Sequence, residues 1–336
     1  MSAAMTSATA NTAHNHPMNT MKWLLKREFW ENKGGIFWAP IFTGAIYLGL
    51  MIMAILVGQM SVNRSHIQIQ SLKLGELTSK ITPEIQNHIY AGTELSLYMI
   101  AGLFGVVLFF VLFFYCLGAL YDDRRDRSVL FWKSLPVSDR ATVASKATTA
   151  LLVAPLFSTT AAVITGVGFL SLLSLYVGFF GINPFPLLWG KLAPLKVGFN
   201  LFAMLPVQIL WALPTIGWLL LVSSWAKSKP FLWALALPVG AGIMVSWFDL
   251  MQSISMPDSW FWKNVVARLL LSIVPGSWID TANIDDNFRG PEDVLRLMDI
   301  GTAYSTLATP QLWVGAIAGI AMIVAAIYFR RKRDEG

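Results

Sequence analysis

Side chains able to do chemistry are few in this chain, and their spacing serves no catalytic or metal-binding pattern. The four histidines are His14, His16, His66 and His88, and only His14-Asn-His16 forms a close pair. Two imidazoles fall short of the ligand set of a structural zinc site. Asp280, Asp285 and Asp286 come nearest to an acidic cluster, yet no spacing among them, or to His88, signals an acid–base or metal pair. There is no His-Glu-x-x-His motif. The Gly190-Lys191 pair is followed by Leu192 and has Phe185 where a phosphate-binding loop places its first glycine, so ATP is not bound by that route. Cys116 is the single cysteine, which excludes an intrachain disulfide. The sequence therefore predicts no catalytic residue, no metal and no bound cofactor.

The elements that would position any site are membrane spans. Hydrophobic residues make up 55% of the 336-residue chain and charged residues 13%, against roughly 25% charged in a soluble domain. Six runs, 37–58, 95–120, 147–181, 197–225, 231–248 and 311–329, contain no Asp, Glu, Lys, Arg or His. Each reaches the ~18 residues that let a helix cross a bilayer. An all-α membrane protein with six transmembrane helices follows. The third run exceeds one span and is expected to tilt, kink at Pro155 or extend out of the membrane. Pro206, Pro214 and Pro238 predict bent helices in the fourth and fifth runs. Gly315-Ala-Ile-Ala-Gly319 in the sixth predicts close helix packing. Residues 1–20, small and polar, read as a disordered tail ahead of a single transmembrane domain, 21–336.

The net charge of +6 is spread in a way that speaks against nucleic acid. Segments 1–36, 121–146, 226–230 and 330–336 each carry two more basic than acidic residues, whereas 249–310 is acidic. With six spans those four basic segments share one side, and the positive-inside rule makes it the cytoplasm. Both termini are then inside (N-in/C-in), and the membrane is the plasma membrane of a bacterial cell.

Two segments outside the runs stand out. In 21–31, Met21, Leu24, Leu25 and Phe29 share one helical face while Lys22, Lys26 and Arg27 lie off it, with Trp23 and Trp30 as aromatic anchors. That pattern predicts an interfacial helix against membrane lipid. In 121–139, a patch of mixed charge gives way to Val129, Leu130, Phe131 and Trp132, then to Leu135-Pro136. A helix over 126–134 would group Val129 and Leu130 with Lys133, beside Arg125 and Trp132. Leu135-Pro136 would end it, and Ser138 would cap the next helix with Asp139 in its first turn. Bulky apolar side chains clustered beside water mark a contact surface. On the outer side, 265–274 is apolar except for Arg268 and is followed by Pro275-Gly276, too short to cross and therefore predicted as an external re-entrant helix pair. Trp260, Trp262 and Trp278 are expected at headgroup depth.

Within the runs the polar groups are mild. Ser158, Thr159, Thr160 and Thr165 in the third, and Asn200 and Gln208 in the fourth, either join helices or line a pathway. The absence of charge from all six runs argues against a proton- or sodium-coupled carrier.

At loop 121–146, with Leu135-Pro136-Val137-Ser138 and the later Lys146, the chain resembles the permease subunits of ATP-binding-cassette exporters of the type-two class. The likeness extends to 22–30 and 265–276. Asp126-Arg127-Ser128-Val129 stands where the commoner pattern has Glu-Arg followed by Gly-Thr. The resemblance implies a cytoplasmic coupling helix, a separate cytoplasmic ATPase subunit that binds the ATP, and a second permease copy or homologue. It further implies that Leu130, Phe131 and Trp132 enter a groove of that ATPase, with Arg124, Arg125 and Arg127 meeting acids around it. The alternatives are a membrane-embedded enzyme acting on lipid and a non-transporting assembly or sensor subunit.

Overall fold

A computed structural model describes residues 17–64, 82–126, 138–179, 182–250, 258–279 and 291–333. Among them every regular element is helical. Six helical stretches are long and apolar enough to cross a membrane: Gly34–Met60, Pro83–Arg125, Asp139–Phe179, Phe185–Trp225, Pro230–Phe248 and Pro310–Lys332. They are called spans one to six. Residues 1–16 of the predicted tail lie outside the described residues. The N-terminal helix, Pro17–Glu31, begins ahead of Met21.

Local chemistry sets the helix ends. Thr82 caps the second span by accepting from the Ile85 N–H at 3.4 Å, with Pro83 at the first helical position and Glu84 in the first turn. Ser138 caps the third by accepting from the Ala141 N–H at 3.2 Å, and Asp139 occupies the first turn as expected. Just before Pro155, which supplies no N–H, the third span widens into a π-helical turn, Thr149–Val153. Pro206, Pro214 and Pro238 all sit inside continuous helices.

The second and fourth spans form the centre, and the first lies at the edge with most of its surface outward. Leu108, Leu112 and Cys116 of the second span pack with Ala212, Ile216 and Leu219 of the fourth and Ala150 of the third. The fourth and sixth spans meet at glycines: a Cβ on Gly217 would strike the Gly319 carbonyl, and one on Gly319 would strike the backbone of Leu213 and Pro214. The small-residue motif of the sixth span therefore serves packing within the chain.

Segment 258–279 packs against the middle of the fourth span. It comprises the helix Asp258–Phe261, a π-helical turn Trp262–Val266, the helix Ala267–Leu271 and a series of turns closed by Gly276 at φ +80°. Fourth-span side chains satisfy its backbone. Thr215 Oγ1 donates to the Arg268 carbonyl at 2.9 Å and accepts from the Ser272 N–H at 3.0 Å. Gln208 Nε2 donates to the Ile273 carbonyl at 2.7 Å. Irregular backbone at such depth survives only where protein groups take its hydrogen bonds.

Candidate functional site

Two polar sites interrupt the apolar bundle. The first lies at its base, where the N-terminal helix, Pro17–Glu31, meets the end of the sixth span. Glu28 of the N-terminal helix is fully buried at 0% exposure, and Lys146 of the third span is 3% exposed. Lys146 Nζ lies 3.2 Å from Glu28 Oε1 and 3.5 Å from Asp123 Oδ2. Arg330 of the sixth span reaches Asp123 Oδ2 at 3.3 Å through Nη1 and Asp139 Oδ1 at 3.1 Å through Nε. Arg27 Nη2 closes on Glu28 Oε1 at 2.7 Å, and the Tyr115 hydroxyl donates to Glu28 Oε2 at 3.0 Å. Glu28, Asp123 and Asp139 thus balance Arg27, Lys146 and Arg330, which is how so much charge is tolerated out of water. Glu31 flanks the network, and burial raises its carboxyl pKa against the opposing pull of Arg27.

This network joins four elements, two of which flank residues 127–137 in the sequence. Asp123 stands just before that segment, and Asp139 and Lys146 stand just after it. Arg124 adds the fourth span: its guanidinium donates to the carbonyls of Ser223 and Ala226 at that helix's end, where cations are favoured. Ser223 Oγ donates in turn to the Leu117 carbonyl at 2.7 Å.

The second site is a partly open cavity of about 150 Å³ between the second, third and fourth spans, bordered by the turn at Pro275–Ile279 and by Leu297 and Met298. Its wall is largely apolar, with Tyr98, Ser158, Thr159 and Gln208 as the polar groups. Asn200 Nδ2 donates to the Tyr98 hydroxyl at 2.9 Å.

The residues expected to do the work divide accordingly. Ser158, Thr159 and Gln208 share the cavity, and Asn200 is one hydrogen bond away. Thr165 does not join them, because it packs against Gly44 of the first span. Thr160 Oγ1 bonds its own helix at the Leu156 carbonyl. Of the coupling residues, Arg124 is engaged inside the chain, while Arg125 is exposed and paired with Asp122 and Asp126. Arg127, Val129, Leu130, Phe131, Trp132, Leu135 and Pro136, and with them the predicted helix 126–134 beyond its first residue, lie outside the described residues. In the N-terminal helix, Trp23 and Trp30 are exposed and Lys26 lies over the Trp23 ring at 5.3 Å. Lys22 is exposed with them. Arg27, expected on the polar face, turns inward to Glu28. Trp262 donates to Ser246 Oγ at 2.9 Å, and Trp278 lines the cavity.

Sequence reasoning missed Glu28, Lys146 and Arg268 as interior charges. Glu28 follows Leu24 by one helical turn and so lies on the apolar face, a signal that could have found it. Arg268, read as the one charge of a short apolar segment, lies inside the bundle. It is 9% exposed, with Cζ 3.5 Å from the centre of the Trp211 ring and Nη1 3.3 Å from both the Trp211 carbonyl and Ser272 Oγ. A Cβ on Gly315 would collide with its guanidinium. The charge-free runs could not reveal this, because Arg268 arrives from a segment too short to span.

Asp280, Asp285 and Asp286 lie outside the described residues, and among the described residues no group of His, Cys, Asp and Glu is placed to hold a metal ion. Comparison of the chain with protein-family models, curated proteins and solved structures gives no match.

Proposed function

We propose that the chain is the membrane-spanning permease subunit of an ATP-binding-cassette exporter, driven by a separate ATPase subunit and moving an amphiphilic or hydrophobic substrate. The observation that carries this reading is the buried charge network at the base. Both ends of segment 127–137 emerge from it, and it ties them to the N-terminal helix, the fourth span and the sixth span. A load applied to that segment would reach five elements, the two flanking spans among them, through charge-assisted contacts that are costly to break. The lack of a phosphate-binding loop in the sequence fits an engine borrowed from another chain.

On this reading the base faces the cytoplasm, as the distribution of basic residues favours, and segment 126–134 forms the coupling helix. Leu130, Phe131 and Trp132 enter the ATPase, with Arg125 and Arg127 at the rim. Arg124 acts within the permease by holding the end of the fourth span. A second copy of this chain, or a homologue, completes the path, and segment 258–279 is the re-entrant element on the outer side.

Affinity purification from native membranes should retrieve a cassette ATPase encoded beside this chain. Replacing Phe131 and Trp132 together by Ala should leave membrane insertion intact and uncouple ATP hydrolysis from transport in reconstituted vesicles. Normal co-purification together with normal coupling in that double variant would overturn the proposal.

A further inference from the structure

A groove of about 430 Å³ opens on the flank of the bundle, between 109–114 of the second span, 231–239 of the fifth and the helical segment 262–271. No side chain lining it carries an oxygen. The one nitrogen, Trp262 Nε1, already donates to Ser246 Oγ at 2.9 Å. A polar guest would leave its hydrogen bonds behind in water. Phe110, Phe114, Phe231 and Leu271 line the groove and are exposed, so it opens outward at the depth of the spans. From Phe231 to Val239 the fifth span rises about 12 Å, most of one leaflet's share of a ~30 Å hydrocarbon core.

The foot of the groove has the opposite chemistry. The fourth span ends at Trp225 and the fifth begins at Pro230, with Lys227 and Lys229 exposed between them. No acid lies in 226–230, and neither lysine has an ion-pair partner among the described residues. Lys229 adopts φ +48°, in the left-handed region that glycine enters without strain. A lysine kept at such a position argues that its charge has a use.

We infer that this groove holds one acyl chain of an anionic phospholipid from the leaflet on the base side, with the lipid phosphate at Lys227 and Lys229. A chain that is apolar along its length and tethered to a negative charge at one end matches an apolar groove with two cations at its foot. The site belongs to a single chain and needs neither an ATPase nor a second copy, so it stands or falls apart from the exporter reading.

The test is photo-crosslinking of the full-length chain in lipid nanodiscs. The probes are phosphatidylglycerol and phosphatidylcholine, each with a diazirine midway along one acyl chain. Exposed Phe42 and Ile46 of the first span report contact with bulk lipid. In wild type the phosphatidylglycerol probe should label 231–239 well above that reference. Each lysine beside an anionic headgroup is worth about fivefold, so unlabelled phosphatidylglycerol should compete roughly thirtyfold better than phosphatidylcholine. Lys227→Gln with Lys229→Gly should bring the two lipids level. Ala267→Phe fills the groove and should bring labelling of 231–239 down to the first-span level. Lys227 is exposed and glycine suits φ +48°, so the lysine variant should fold as wild type does, and it decides by itself if Ala267→Phe does not fold. Labelling of 231–239 no higher than that of the first span would make the groove ordinary lipid contact and overturn the proposal. A preference for phosphatidylglycerol that survives the lysine variant would overturn it too. So would exclusion of both probes from 231–239 in wild type, which would mean that a second copy of the chain covers the groove.

Discussion

At the scale of single residues, Lys146 has the most at stake. It is the most deeply buried cation beside Glu28 and also faces Asp123. Replacing it by Met leaves a fully buried carboxylate short of its partner, which should cost about 3–5 kcal/mol. The double variant Glu28→Gln/Lys146→Met removes both charges and should regain most of that loss. A double-mutant cycle on thermal midpoints of the detergent-solubilised chain checks this, and additivity of the two single losses would show that the pair is not coupled. Arg268 behaves differently, because no acid faces it among the described residues and its guanidinium carbon lies 3.5 Å from the centre of the Trp211 ring. Lys at that position keeps the charge but gives up the planar stacking and the fork of donors, so Arg268→Lys should lower the thermal midpoint. Arg268→Met discards the buried charge altogether and should stay within about 1 kcal/mol of wild type. The reverse order would mean that the charge itself holds segment 258–279 in place.

Among elements, the contact between the fourth and sixth spans is the tightest in the bundle. Gly319 faces backbone rather than a side chain that could swing aside. Gly319→Val should therefore force the helices apart, lowering stability by roughly 1–3 kcal/mol or more. Gly49, with nothing near its Cβ position, should accept Ala with no loss, since alanine is the better helix former. Thermal melts of the two variants separate close approach from a general intolerance of glycine replacement. The third span shows a related economy. Its π-helical turn, Thr149–Val153, lies between the buried Lys146 and Pro155, where the missing proline N–H already interrupts the regular hydrogen-bond ladder.

For the molecule as a whole, orientation is the property on which the functional reading depends. Cys116 is completely buried, so the wild-type chain should give no background with a thiol reagent. A cysteine introduced by Arg127→Cys should stay unlabelled when an impermeant maleimide is applied to intact cells, and should label once the membrane is opened. Labelling from outside would place the base on the wrong face and remove any access for a cytoplasmic ATPase.

How much was legible beforehand follows from what each signal depends on. Six spans and the Ser138 cap depend on local composition and backbone geometry, and both are written in consecutive residues, whereas the helix in segment 258–279 ends at Leu271, ahead of Pro275-Gly276. Uncharged runs of sufficient length are driven into helices by the need to satisfy every backbone group away from water. The candidate sites depend on residues far apart in the chain. Glu28 and Lys146 meet across 118 positions, and nothing near either names the other. Gln208 read as a mild polar group within a span until packing put its Nε2 on the Ile273 carbonyl, 65 positions away. Composition thus determined by itself that this is a six-span helical membrane protein. Only the tertiary structure decided which charges lie inside it, because burial of an ion is settled by partners that packing, and not sequence order, brings within reach.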